Sequence, residues 1–127
     1  MATETQRAKQ AKLLVVEDDA MIRMVLADML CELGYTVTAE AASIDEALEA
    51  TRKADFDLSI LDADLKGQSV SPIADALVAR NMRFVFVTGY GDHGLSAYRN
   101  RPTTLRKPFQ MDALKRALQE HLGHGSY

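Results

Sequence analysis

The feature that most constrains the fold is an alternation. Short, continuous apolar runs are separated by segments whose apolar residues recur every three or four positions. Leu13-Leu14-Val15-Val16 is the first run, closed by Glu17-Asp18-Asp19. A run so short and so uniformly apolar suits a strand buried on both faces. Met21, Ile22, Val25, Leu26, Met29, Leu30 and Leu33 follow at helical spacing. Asp19 is placed to cap that helix and Gly34 to end it.

The pattern then repeats. Tyr35 to Ala39, with Thr36, Val37 and Thr38, reads as a second strand. Ser43 and Glu46 form a capping box ahead of Ile44, Ala47, Leu48 and Thr51. Phe56 to Leu61 reads as a third strand and Val70 to Ala79 as a third helix. Phe84-Val85-Phe86-Val87 is the clearest strand. The Gly-rich polar stretch from Gly89 to Pro102 allows only a short helix around His93–Arg99. Thr103 to Arg106 supplies a fifth strand, and Met111, Leu114, Leu118 and Leu122 a closing helix with Asp112 near its positive end. Strand and helix alternating five times predict an α/β fold: a doubly wound parallel five-stranded sheet with helices on both faces. The expected organisation is a polar N-terminal arm over residues 1–10, one domain over 11–122 and a short tail over 123–127. That leaves no room for an output domain within the 127 residues.

Composition narrows the function classes. The net charge is −3, so no basic surplus points to nucleic acid. Cys31 is the only cysteine, which excludes an internal disulfide and fits a cytoplasmic location. No apolar run approaches the roughly 18 residues of a membrane span. The opening MATETQRAKQAK lacks the apolar stretch of a signal peptide.

Sites in open α/β sheets form beyond the carboxyl ends of the strands. There the first strand brings Glu17, Asp18 and Asp19, the third Asp62 with Asp64 two residues on, the fourth Thr88-Gly89, and the fifth Lys107-Pro108. Glu40-Ala41-Ala42, after the second strand, reads as an edge of no consequence. Each feature alone has an ordinary explanation: an acidic run caps a helix, an Asp or Thr forms a turn, a lysine is solvated. Together, one at each of four strand ends, they point to chemistry. Converging carboxylates raise one another's pKa values, and a divalent cation relieves that repulsion. Hard oxygen ligands with open water positions suit Mg²⁺ or Mn²⁺. Lys107 adds a fixed positive charge and Thr88 a hydroxyl donor. Such a pocket suits a dianionic phosphoryl group, with one carboxylate left to act as nucleophile.

These residues resemble the response-regulator receiver family of two-component systems, over about residues 12–122. The matching stretches are Leu13-Leu14-Val15-Val16-Glu17-Asp18-Asp19, Ser59-Ile60-Leu61-Asp62, Val85-Phe86-Val87-Thr88-Gly89 and Arg106-Lys107-Pro108-Phe109. The resemblance implies a flavodoxin-like (βα)5 fold with strand order 2-1-3-4-5. It implies Asp62 as phospho-acceptor and Mg²⁺ held by Glu17, Asp18, Asp62 and the backbone carbonyl of Asp64. It further implies phosphate contacts from Thr88 and Lys107, and a cis Lys107-Pro108 bond. A stand-alone receiver of this kind would take its phosphoryl group from a histidine kinase or phosphotransfer protein. It would then signal to a downstream protein partner, as a monomer or a phosphorylation-dependent dimer. It would not be a turnover enzyme, catalysing only its own phosphorylation and dephosphorylation. Phe86-Val87-Thr88-Gly89-Tyr90-Gly91 is similar to the FAT GUY subgroup of single-domain receivers, with Val87 in place of Ala. That likeness implies a kinase of the HWE or HisKA2 type. One departure fits the subgroup: Thr104 stands where most receivers carry an aromatic switch residue, which puts the usual coupling of threonine and aromatic in question. Asp64, Gly89 and Tyr90 flank the expected site as tuning or switching positions.

Two rival readings have distinct signatures. Asp62-Ala63-Asp64 is similar to the Asp-x-Asp motif of aspartate-nucleophile phosphatases of the haloacid-dehalogenase type. Those place that motif on the first strand and their acidic pair late, the reverse of the order here. A pseudo-receiver would keep the fold as a binding module without phosphorylation, and would fail to bind Mg²⁺. A flavodoxin would need a first loop rich in Ser, Thr and Gly, where this one is acidic.

Overall fold

The computed structural model describes residues 11–89 and 103–122. The arm 1–10, Tyr90, the expected helix at His93–Arg99 and the tail 123–127 lie outside the described residues. The elements run β1 (Lys12–Val16), α1 (Ala20–Glu32), β2 (Thr36–Ala41), α2 (Ile44–Lys53), β3 (Leu58–Asp62), β4 (Asp64–Leu65) and β5 (Gln68–Ser69). Then come α3 (Ser71–Ala79), β6 (Arg83–Thr88), β7 (Thr104–Arg106) and α4 (Met111–Leu122). Five strands form one sheet in the order β2-β1-β3-β6-β7, every neighbouring pair parallel. This is the expected 2-1-3-4-5 order, because β4 and β5 form a separate small hairpin. The fold is flavodoxin-like.

Side chains alternate across a strand, so each central strand feeds two cores. On one face Leu13, Val15, Leu58, Ile60, Val85 and Val87 pack with Leu26 and Leu30 of α1 and Leu114 and Leu118 of α4. On the other, Leu14, Val16, Leu61 and Phe86 pack with Ala47 of α2 and Ile73, Ala74 and Leu77 of α3. Within β3 every residue is buried, as a strand covered on both faces requires.

The caps form as the sequence implies. The Asp19 carboxylate accepts from the N–H groups of Met21 and Ile22 at 2.9 and 3.0 Å. At the other end of α1, Gly34 has φ 95°, a region closed to most side chains. The N–H groups of Gly34 and Tyr35 return to the carbonyls of Cys31 and Leu30, closing a Schellman motif. Ser43 Oγ accepts from the Glu46 N–H at 3.1 Å, while the Glu46 carboxylate reaches back to the N–H of Ala42 at 2.7 Å. The reciprocal arm thus lands one residue earlier than a standard capping box.

Two local features depart from the regular pattern. The register of β2 against β1 skips between Leu13 and Leu14, leaving Thr38 as an extra residue. Its hydroxyl donates to the Asp55 carbonyl at 2.7 Å. The β4–β5 hairpin was not expected from the sequence. Its two turn residues, Lys66 and Gly67, have φ of 52° and 79°, the positive values that a tight primed turn demands.

Candidate functional site

The carboxyl ends of β1, β3, β6 and β7 open at one rim of the sheet, because parallel strands all point the same way. Glu17 and Asp18 follow β1, Asp62 ends β3, Thr88 ends β6, and Lys107 follows β7. A cleft of about 310 Å³ lies there, lined by Glu17, Asp18, Asp19, Ile22, Asp62, Asp64, Gly89 and Lys107.

Lys107 is the hub. Its Nζ donates to Glu17 Oε1 at 2.8 Å and to Asp62 Oδ2 at 3.1 Å. It spans 90 residues of sequence to the first partner and 45 to the second. Its backbone N–H is anchored on the Thr88 carbonyl at 2.8 Å. The Lys107-Pro108 peptide is cis. Asp62 is 5% exposed, and that little surface faces the cleft. Its second oxygen, Oδ1, accepts the Asp64 N–H at 3.1 Å. Glu17, 2% exposed, is held still more closely. Its N–H donates to Ala41 at 3.0 Å, and its Oε2 accepts the Asp19 N–H at 3.0 Å.

Charge balance follows from this crowding. Burial first, then the neighbouring Asp62 and Asp18, push the Glu17 carboxyl up to about 7 despite the Lys107 ammonium. For Asp18, burial raises the pKa. Hydrogen bonds from Glu17 and from the backbone N–H groups of Asp18 and Lys66 outweigh it and hold the group below the ordinary range. Burial opposes the charge on Lys107, but Glu17 and Asp62 more than offset it and its pKa lies above that of a free lysine.

One ligand oxygen from each of Glu17, Asp18 and Asp62 can lie within 4.8 Å of the others. An all-oxygen set of three carboxylates, partly open to the cleft, fits a hard divalent cation such as Mg²⁺ and not a soft one. Three carboxylates against one lysine also leave a surplus of negative charge for a cation to neutralise.

The rim therefore gathers Glu17, Asp18, Asp62, Asp64, Gly89 and Lys107. Thr88 is buried at the end of β6, next to Gly89 in the cleft wall, and Thr104 is exposed on β7. Tyr90 lies outside the described residues. Asp19, part of the acidic run named at the end of the first strand, also lines the cleft, and so does Ile22, which was not singled out although a helix starting at Ala20 puts it in the first turn. Glu40, at the strand end read as an edge of no consequence, pairs its Oε1 with Arg23 Nε at 3.2 Å, and Arg23 Nη1 donates to the Glu17 carbonyl at 2.8 Å. No local sequence signal marks that link, since its three residues belong to different elements.

Known proteins resemble this chain in sequence and in fold. The family profile described as "Response regulator receiver domain" matches residues 13–119. The transcriptional regulatory protein PdtaR of Mycobacterium tuberculosis is 30% identical over 92% of this chain. The chain spans 59% of PdtaR's length, so part of that relative has no counterpart here. Among solved structures, SdrG from Sphingomonas melonis Fr1 is 38% identical with a TM-score of 0.77, covering 90% of this chain and 98% of that one. A BeF3-activated conformation of SdrG has also been solved. The receiver domain of PhyR from Erythrobacter litoralis is 27% identical with a TM-score of 0.79, covering 89% of this chain and 90% of that one.

Proposed function

The chain belongs to the response regulator receiver family, and from that premise we propose that it takes a phosphoryl group onto Asp62 from a phosphohistidine. The observation that carries this reading is the Lys107 ammonium bridging Glu17 and Asp62 at the mouth of an acidic cleft. Asp62 is the carboxylate at its centre, with Asp18 and Asp64 on the open side. A carboxylate nucleophile needs little more than in-line placement and neutralised charge.

In the proposed step an Asp62 oxygen attacks phosphorus, an O–P bond forms, and the P–N bond to the donor imidazole breaks with its electron pair leaving on nitrogen. Lys107 moves its hydrogen bond from Asp62 to a phosphoryl oxygen. The Asp64 N–H stays on Asp62 Oδ1 and orients the carboxylate. The carboxylates of Glu17, Asp18 and Asp62 and the backbone carbonyl of Asp64 would hold Mg²⁺, which when bound supplies charge neutralisation to the transferring group. The Thr88 hydroxyl reports the new phosphoryl group to the segment beginning at Gly89. Asp64 and Tyr90 tune access of water to the acyl phosphate. Thr104 leaves the usual aromatic partner of that threonine absent, so output runs through the segment after β6. We place the protein in the cytoplasm, with residues 11–122 as its receiver unit. Its donor is a histidine kinase of the HWE or HisKA2 type or a phosphotransfer protein, and its output is a downstream protein partner. The existence of a BeF3-activated form of SdrG, 38% identical to this chain, supports this reading.

The test is mass spectrometry of the protein after incubation with Mg²⁺ and phosphoramidate. The wild type gains one phosphoryl group and Asp62→Asn gains none. Phosphorylation of the Asn variant would move the acceptor elsewhere. A wild type that binds no Mg²⁺ and gains nothing would favour a pseudo-receiver.

A further inference from the structure

Glu17 leaves the sheet at the end of β1, and its four polar groups can be accounted for one by one. The N–H donates to Ala41 of β2, one carboxylate oxygen accepts the Asp19 N–H and the other accepts Lys107. The remaining group, the Glu17 carbonyl, lies beyond the last ladder residue of β1. A carbonyl at such a place needs a partner or water. It receives Arg23 Nη1 at 2.8 Å, from the first turn of α1. The same guanidinium turns its Nε to Glu40 at the far end of β2, at 3.2 Å. The Arg23 side chain is 22% exposed and that of Glu40 47%.

We infer that Arg23, aimed by Glu40, is a positioning residue that fixes the Glu17–Asp18 peptide so that both carboxylates face one cation. This rests on the reading of the cleft as a Mg²⁺-dependent phospho-acceptor site. The peptide unit is planar, so holding the Glu17 carbonyl also sets the direction in which Asp18 leaves. A guanidinium can do this because its donors form a rigid fork that engages two acceptors on two elements at once. The compact ammonium of a lysine holds no such plane. Pairing with Glu40 also offsets a positive charge that would otherwise oppose a cation held by the acidic cluster.

The sign of the effect separates positioning from simple charge. Removing a cation near the cleft should tighten Mg²⁺ binding by electrostatics alone, whereas loss of positioning weakens it. Mg²⁺ is titrated calorimetrically into the full chain. Arg23→Gln is expected to bind about tenfold more weakly, the scale seen when groups that orient metal ligands are removed. Arg23→Lys, which keeps the charge, does not restore the affinity. Glu40→Ala, an exposed change that spares the fold, gives a smaller loss that vanishes in the Arg23→Gln background, because the two residues act as one unit. Unchanged or tighter binding by Arg23→Gln, full recovery by Arg23→Lys, or additive losses in the double variant overturns the inference. Wild-type protein that neither binds Mg²⁺ nor gains a phosphoryl group strikes the functional reading instead. A competent wild type beside an indifferent Arg23→Gln strikes this inference alone.

Discussion

Glu17 sits where burial and function pull against each other. A carboxyl held up near 7 is half-protonated at neutral pH, and a metal ligand must be ionised. Mg²⁺ binding should therefore release part of a proton from Glu17 and strengthen as pH rises from 6 to 8. In the metal-free protein the linkage has the opposite face. The folded pKa lies above the unfolded one, so Glu17 contributes stability that is fully present below about pH 4.5 and is lost as pH rises through about 7. Calorimetric titrations at several pH values, repeated with Glu17→Gln, check this. An affinity flat across that window, or the same slope in the Gln variant, rejects it.

At the scale of elements, β3 does two jobs: its end presents Asp62, and its body forms the centre of both cores. Ser59 lies inside it, fully buried, between Leu14 on β1 and Phe84 on β6 in the sheet register. Its hydroxyl has no hydrogen-bond partner among the described residues. A buried hydroxyl without a partner costs free energy that an apolar group of similar size does not. Ser59→Ala is expected to stabilise the protein by about 1 kcal/mol in urea unfolding, with Asp62 chemistry unchanged. A loss of stability would mean that the hydroxyl is satisfied after all. The helices need less comment, because their signals are local. Asp19, Ser43 and Gly34 act within four residues of themselves, and a chain read in one direction exposes such signals. The β4–β5 hairpin escaped because Lys66, which adopts φ 52°, carries none of the residue-type cues for a positive-φ turn.

At the scale of the whole molecule, the rim exists only when the sheet does. Carboxylates from β1 and β3 and the lysine after β7 meet across 45 to 90 residues of sequence, so a cation that they hold binds the folded state and not the unfolded one. Mg²⁺ at 100 times its Kd should raise the unfolding free energy by about 2.7 kcal/mol, and a urea midpoint that ignores Mg²⁺ would exclude the site. The order of the helices and of the five strands of the main sheet, the helix caps and the residue types at each strand end were legible in the chain itself, since hydrophobic period and capping chemistry are short-range. Which of those strand-end residues meet was legible too, once a parallel sheet was inferred, because parallel strands bring their ends to one rim. Three things had to wait for the tertiary structure: the sharing of Lys107 between Glu17 and Asp62, the elevation of Glu17, and the Arg23–Glu40 brace behind the acidic loop. Distance, burial and the aim of a guanidinium are properties of neighbours in space, and no spacing along the chain encodes them.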